Sequence, residues 1–329
     1  PFELLSPPEA RTAYAASWDA MQSPGGDVAL LRDLDIDSEG GALTLRIYRG
    51  AGTGADEALP CMLYLHGGGW VIGGLDSHDR LCRRLANVAR ICVVAVDYRL
   101  APEHPFPAAV DDCAAALRYV AAHADELKID PACLAVGGDS AGGNLAAVLA
   151  LHARNGHVPQ VAYQALIYPV TDLTAGSDSY RQVTTGVPLT AATMHYFIGH
   201  YTPRVQDRAD WRASPLLADS FEGLAPALVM TVGHDPLRDE GREYATRMGA
   251  AGVRVTEIHI NDQMHGLLGQ GRLVPAADVV GDAIFALIGR ELHRPAQRLQ
   301  RNSSQGGATS APIRGISPES EGARKSRAS

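Results

Sequence analysis

The chain has 329 residues, 46% hydrophobic and 20% charged, with a net charge of −8; it can bury one large core, and no apolar run is long enough to span a bilayer. From Arg294 onward seven Lys/Arg face two Asp/Glu, so the tail carries +5 and the body −13, which makes the body a poor nucleic-acid binder. The five cysteines are odd in number and lack metal-ligand spacing; they read as buried reduced thiols and, with no secretory signal opening the chain, point to the cytoplasm.

Residues 8–22 form a helix candidate that stands apart from the strand–helix alternation that follows. This helix is short for a lid over a site, and the chain opens at Pro1, so further residues upstream are expected to complete it. Residues 34–37 and 43–48 alternate apolar and polar side chains, as exposed antiparallel edge strands do. Residues 62–65 are a buried strand that His66-Gly67-Gly68-Gly69-Trp70 leaves directly. Consecutive glycines there let bare backbone amides approach a substrate oxygen. Gly67, Gly68 and Gly69 are this loop's expected oxyanion donors, Gly68 and Gly69 first among them and Gly67 also setting the turn, and His66 braces the loop without reacting. A strand over 91–98 and a helix over 108–127 come next.

Residues 134–137 read as a strand, and Gly142 onward as a helix, so Ser140 in Gly138-Asp139-Ser140-Ala141-Gly142 falls on the tight turn between them. Such a turn strains the serine backbone and leaves little room beside it, which Gly138 and Gly142 accommodate. The Ala141 N–H, at the helix N-terminus, joins the expected oxyanion donors. Residues 166–171 form a strand with Asp172 at its end, read as structural. Residues 179–217, with Tyr180, Met194, Tyr196, Phe197 and Trp211, break the alternation. Strand 227–232 leads into Asp235-Pro236, where proline stops the strand and leaves Asp235 at its end. Strand 253–260 leads into the loop that holds Met264-His265-Gly266. Asp239 belongs to the first turn of a helix, and His234 and His259 abut the acid or lie within a strand, so Asp235 and His265 are the better acid and base. An amphipathic helix over 276–292 closes the body, and the Ser, Gly and Arg-rich tail is expected to be disordered.

The order Ser, Asp, His is that of α/β-hydrolases and differs from both chymotrypsin-like and subtilisin-like proteases. Together with His66-Gly67-Gly68-Gly69, Asp97-Tyr98-Arg99-Leu100-Ala101-Pro102-Glu103 and Asp235-Pro236-Leu237-Arg238-Asp239-Glu240, the chain from about 60 to 292 resembles the hormone-sensitive-lipase-like, or bacterial family IV, serine esterases of the GDSAG type. The resemblance implies an α/β-hydrolase fold: a mostly parallel eight-stranded sheet, helices on both faces, and a small helical cap. It implies Ser140 as nucleophile, His265 as base and Asp235 as its orienting acid, with amides of Gly68, Gly69 and Ala141 as oxyanion hole. Leu267 stands where that family usually has Phe, which alters the acyl pocket. Trp70, Asp139, Tyr168 and Leu267 are the expected pocket residues.

The domain reading is a cap segment over 1–27, a catalytic domain over 28–177 and 218–293, a cap insertion over 178–217 and the basic tail over 294–329. No phosphate loop, dinucleotide fingerprint or Cys/His cluster calls for a cofactor or metal. The expected function is a serine carboxylesterase for short- to medium-chain acyl esters, with a small-molecule ester as its partner and neither nucleic acid nor membrane. An amidase or deacetylase on the same scaffold is the alternative. A non-catalytic small-molecule binder, of the kind that serves as a plant hormone receptor, lacks the catalytic histidine that His265 supplies here. A homodimer through an outer sheet edge fits the family.

Overall fold

Short apolar runs bounded by Gly, Pro and Asp become strands here, and the longer periodic stretches between them become helices. The computed structural model describes the backbone of residues 1–306 and the side chains of 1–294. In chain order it has α1 (Pro7–Met21), β1 (Leu30–Ser38), β2 (Gly41–Arg49), β3 (Leu59–Leu65), α2 (Leu75–Ala89), β4 (Cys92–Val96), α3 (Ala108–Ala122) and α4 (Ala124–Leu127). There follow β5 (Ile129–Asp139), α5 (Ala141–Arg154), β6 (Tyr163–Ile167), α6 (Asp178–Gln182), α7 (Ala191–Tyr201), β7 (Ala227–His234), α8 (Arg238–Ala250), β8 (Val255–Met264) and α9 (Pro275–Gly306).

Eight strands of the described residues form one sheet in the order β1-β2-β4-β3-β5-β6-β7-β8. β1 and β2 pair antiparallel with each other, β2 pairs antiparallel with β4, and the remaining pairs are parallel. The inner strands are buried on both faces, and each feeds alternate residues to opposite sides. In β3, Cys61, Leu63 and Leu65 join a core with α3, α5 and α8, while Met62 and Tyr64 join a second core under α2 and α9. All five cysteines are buried and free.

The α1 start is fixed by Glu9, whose carboxylate accepts the Ser6 N–H at 2.9 Å, and by proline at the first helical position. Several boundaries differ from the sequence expectation: the strand expected over 166–171 is β6, which ends at Ile167, and the helix expected over 108–127 is divided into α3 and α4. β8 runs four residues further, to Met264, because it pairs with β7 on one side only and its solvent-facing positions tolerate Asn261 and Asp262. α9 continues past Leu292 to Gly306, into the stretch expected to be disordered, and the remainder of the basic tail, 307–329, lies outside the described residues. Residues Pro1–His293 pack as one unit, and the site lies within it. No helix among the described residues is long and apolar enough to cross a membrane.

Candidate active site

Ser140 stands between β5 and α5 with φ 56°, ψ −118°, a strained conformation for a residue with a side chain. Its backbone is held at both ends: its N–H donates to the Ile167 carbonyl at 2.9 Å and its carbonyl accepts from Val170 N–H at 3.2 Å. A Cβ on either Gly138 or Gly142 would run into the Leu65 carbonyl at the end of β3, so both positions are closed to larger residues by the neighbouring strand itself.

Asp235 and His265 arrive by sheet register. His234 at the end of β7 pairs with Met264 at the end of β8, beyond a register shift after Val232, so the next residue of each strand stands beside the other. His265 Nδ1 lies 2.7 Å from Asp235 Oδ2, and His265 Nε2 lies 2.9 Å from Ser140 Oγ. The other Asp235 oxygen accepts the Leu237 N–H at 2.9 Å, which fixes the carboxylate plane. Asp235 is fully buried, and the Tyr168 ring packs on His265 with centroids 4.6 Å apart.

The loop after β3 is shaped by its glycines: Gly68 and Gly69 have φ of 118° and 58°, and the Gly68 carbonyl accepts from Val71 and Ile72 N–H. Among the described residues, no acceptor pairs with the N–H groups of Gly68, Gly69 or Ala141. The Gly67 N–H is committed to Asp139 Oδ1 at 3.0 Å and is no free donor, which corrects its place among the expected oxyanion donors. His66 is bound within the loop, its Nδ1 2.8 Å from the Gly67 carbonyl and its ring stacked on Tyr98 at 4.2 Å. Burial pushes its pKa down to about 3, so it is neutral.

A cavity of about 130 Å³ opens above Ser140. One wall is α1, with Tyr14, Ser17, Trp18 and Met21; the other is Pro188, Leu189 and α7, with Met194 and Phe197. Phe2 bridges them, its ring 6.1 Å from Tyr14 and 6.4 Å from Phe197. The Phe197 ring lies where a Gly69 side chain would be, and one turn on, Tyr201 stacks on Trp70 at 4.3 Å. Arg11 ties α1 to the same loop through the Val71 carbonyl at 2.8 Å and to the segment after β4 through the Ala101 carbonyl at 2.9 Å and Glu103.

Of the expected pocket residues, Asp139 lines this cavity. Trp70, Tyr168 and Leu267 do not: Trp70 and Leu267 are fully buried and Tyr168 nearly so. Positive φ at Trp70 and Tyr168 turns both side chains into the core, and Leu267 packs among the residues under α2 and α9. Asp172 is absent from the cavity lining; its carboxylate accepts the Thr174 N–H at 2.9 Å, and its own backbone N–H meets a residue that pattern did not reveal. Glu240 is buried, accepting N–H groups of Thr171 and Asp172 at 2.7 and 3.3 Å, and burial pushes its carboxyl well above the usual range. His78 and its contacts with Asp139 were equally invisible, since a lone histidine on a helix carries no spacing signal. Among the described residues no cluster of His, Cys, Asp and Glu could hold a metal ion.

A protein-family model described as alpha/beta hydrolase fold matches residues 62–269. The carboxylic ester hydrolase LipN of Mycobacterium tuberculosis is 44% identical over 264 residues, 78% of this chain and 69% of that protein. An ethyl acetate hydrolase of Pseudomonas putida is 38% identical over 280 residues, 84% of this chain and 88% of that protein. Among solved structures, EstE1, a thermophilic carboxylesterase cloned from a metagenomic library, superposes with a TM-score of 0.82 at 41% identity, covering 88% of this chain and 98% of that one.

Proposed function

Because the chain belongs to the hormone-sensitive-lipase-like group of alpha/beta hydrolases and is a carboxylic ester hydrolase, we propose that it cleaves short- to medium-chain acyl esters through a Ser140–His265–Asp235 triad and an acyl-enzyme. The observation that carries this reading is the unbroken hydrogen-bonded line from Ser140 Oγ through the His265 ring to Asp235, opening into a cavity beside free backbone amides.

With Asp235 as acceptor, the His265 proton sits on Nδ1, which leaves the Nε2 lone pair for the Ser140 hydroxyl. As Ser140 attacks the ester carbonyl, His265 takes its proton and Asp235 stabilises the imidazolium. The carbonyl oxygen becomes an oxyanion, facing the N–H groups of Gly68, Gly69 and Ala141 at the α5 N-terminus. His265 then protonates the leaving alcohol, and water repeats the sequence on the acyl-enzyme.

The cavity volume, about 130 Å³, is small beside the roughly 300–1,000 Å³ of pockets that enclose drug-sized ligands. The wall of Leu189 with Met194 and Phe197 of α7 is apolar, which suits a short acyl chain. We read residues 1–27 and 178–217 together as the cap that supplies these walls. Hydrolysis of p-nitrophenyl esters from acetate to palmitate, by wild type and Ser140→Ala, tests the reading: activity should peak at short chains and vanish in the variant. A palmitate optimum would sink the chain-length proposal, and an active Ser140→Ala the triad.

A further inference from the structure

Behind the triad lies a buried polar cluster that the chemistry above does not use. His78, in the first turns of α2, is 1% exposed. Its Nε2 faces the Asp139 carboxylate at 3.3 and 3.4 Å from the two oxygens, and lies 3.3 Å from the Gly67 nitrogen. Its Nδ1 is 2.9 Å from Ser77 Oγ. That hydroxyl also accepts the Gly74 N–H at 3.0 Å and stands 2.9 Å from the Gly74 carbonyl. Asp139 Oδ1 in turn accepts the Gly67 N–H at 3.0 Å and the Tyr64 hydroxyl at 2.7 Å.

These contacts close a ring. The segment 67–74, which carries Gly68 and Gly69, is tied at its first residue to Asp139 and at its last to Ser77, and the His78 ring spans the two ties. Asp139 is also the residue before Ser140 and borders the cavity. The carboxylate that anchors the donor loop is therefore part of the nucleophile turn. Burial pushes that carboxyl up, yet His78 and the Tyr64 hydroxyl outweigh it and hold the carboxyl below the usual range.

We propose that His78 is a positioning residue for the ester hydrolysis put forward above, on which this inference rests: through Asp139 and Ser77 it clamps segment 67–74 against the nucleophile turn and so sets where the Gly68 and Gly69 N–H groups stand. The role predicts loss in the transition state and little in ground-state binding. A misplacement of about 1 Å in a catalytic array costs on the order of 10²-fold in rate, and loss of a whole oxyanion donor roughly 10²–10³-fold.

The test compares wild type with His78→Leu, His78→Gln and Ser77→Ala on p-nitrophenyl butyrate. An alkyl trifluoromethyl ketone, which forms a tetrahedral oxyanion on the serine, reports the donors directly. His78→Leu should lower kcat about 10²-fold with KM within about threefold, and weaken the ketone by a similar factor. His78→Gln, which restores an N–H toward Asp139, should recover about tenfold of that loss, and Ser77→Ala should lose about tenfold. A folded His78→Leu with wild-type kcat, or one that loses kcat while binding the ketone normally, overturns the proposal. Should His78→Leu fail to fold, wild-type kcat and ketone affinity in both other variants overturn it equally. A wild type inactive on every ester, or an active Ser140→Ala, would instead strike the esterase reading itself.

Discussion

Asp235→Asn is the sharpest probe of the proposed triad, because the structure dictates which way the new amide must face. In the native protein Oδ1 accepts the Leu237 N–H at 2.9 Å and Oδ2 accepts the His265 Nδ1–H at 2.7 Å. An asparagine has one acceptor oxygen. Leu237 N–H is a fixed backbone donor in a fully buried turn, so the amide oxygen must stay with it and the NH2 must face His265. His265 can then pair only by presenting a bare Nδ1, which moves its proton to Nε2, the nitrogen that faces Ser140. The base is lost while the ring stays in place. The expected fall in kcat is about 10³–10⁴-fold, or roughly 4–5.5 kcal/mol of transition-state stabilisation at 1.36 kcal/mol per decade. KM for p-nitrophenyl butyrate should change little. Single-turnover and steady-state kinetics, with ¹⁵N NMR of the histidine tautomer, measure both halves of the argument. A variant within tenfold of wild type, or one with the proton still on Nδ1, would refute it.

Three further outcomes are expected. Phe197→Ala removes the ring that lies against Gly69 and bounds the α7 wall; the acyl-chain optimum should lengthen on a p-nitrophenyl ester series, kcat on butyrate should fall, and stability should drop by about 3 kcal/mol in denaturant melts. Arg11→Ala releases α1 from the Val71 and Ala101 carbonyls and from Glu103; because Tyr14 and Trp18 of that helix wall the cavity, KM should rise by about threefold to tenfold. Glu240→Gln tests a buried acid. Burial raises the Glu240 pKa in the folded state, so its contribution to stability is full below the unfolded value and is lost as pH rises through the folded one. Gln keeps the acceptor for Thr171 without the charge, so the variant should melt about 2–4 °C above wild type at pH 8 and show no advantage near pH 4; equal melting at both values would remove the argument.

What could be read from the sequence was what local spacing controls. Ser140 was legible because a strand, a turn flanked by small residues and a helix must follow one another there, and Asp235 and His265 because each follows a strand pattern. Direction was harder. Trp70 and Tyr168 sit beside motif residues, yet φ of 60° and 33° swings their side chains away from the cavity, and no pattern in the chain announces a left-handed residue that is not glycine. Met194 and Phe197 were legible as cap aromatics and apolar residues without a role for either; the close approach of Phe197 to Gly69 depends on two segments far apart in the chain. His78 and Glu240 were illegible for the same reason. Their partners, Asp139 and the Thr171 backbone, lie 61 and 69 residues away, and a single polar residue on a helix looks like any solvated one until the opposing element is in place. The length of β8 was underestimated because polar residues at a sheet edge carry no alternation signal.

The double attachment of α7 to the donor loop, Phe197 on Gly69 and Tyr201 on Trp70, makes the wall proposed to meet the acyl chain and the amides proposed to meet its carbonyl parts of one lever. Selection for a new substrate then has two unequal routes. Changes at Met194, which borders the cavity without gripping the loop, can reshape preference and leave turnover alone. Changes at Phe197 or Tyr201 trade one against the other, so a lineage or a laboratory screen that broadens substrate range through those two positions should surrender catalytic speed as it does so.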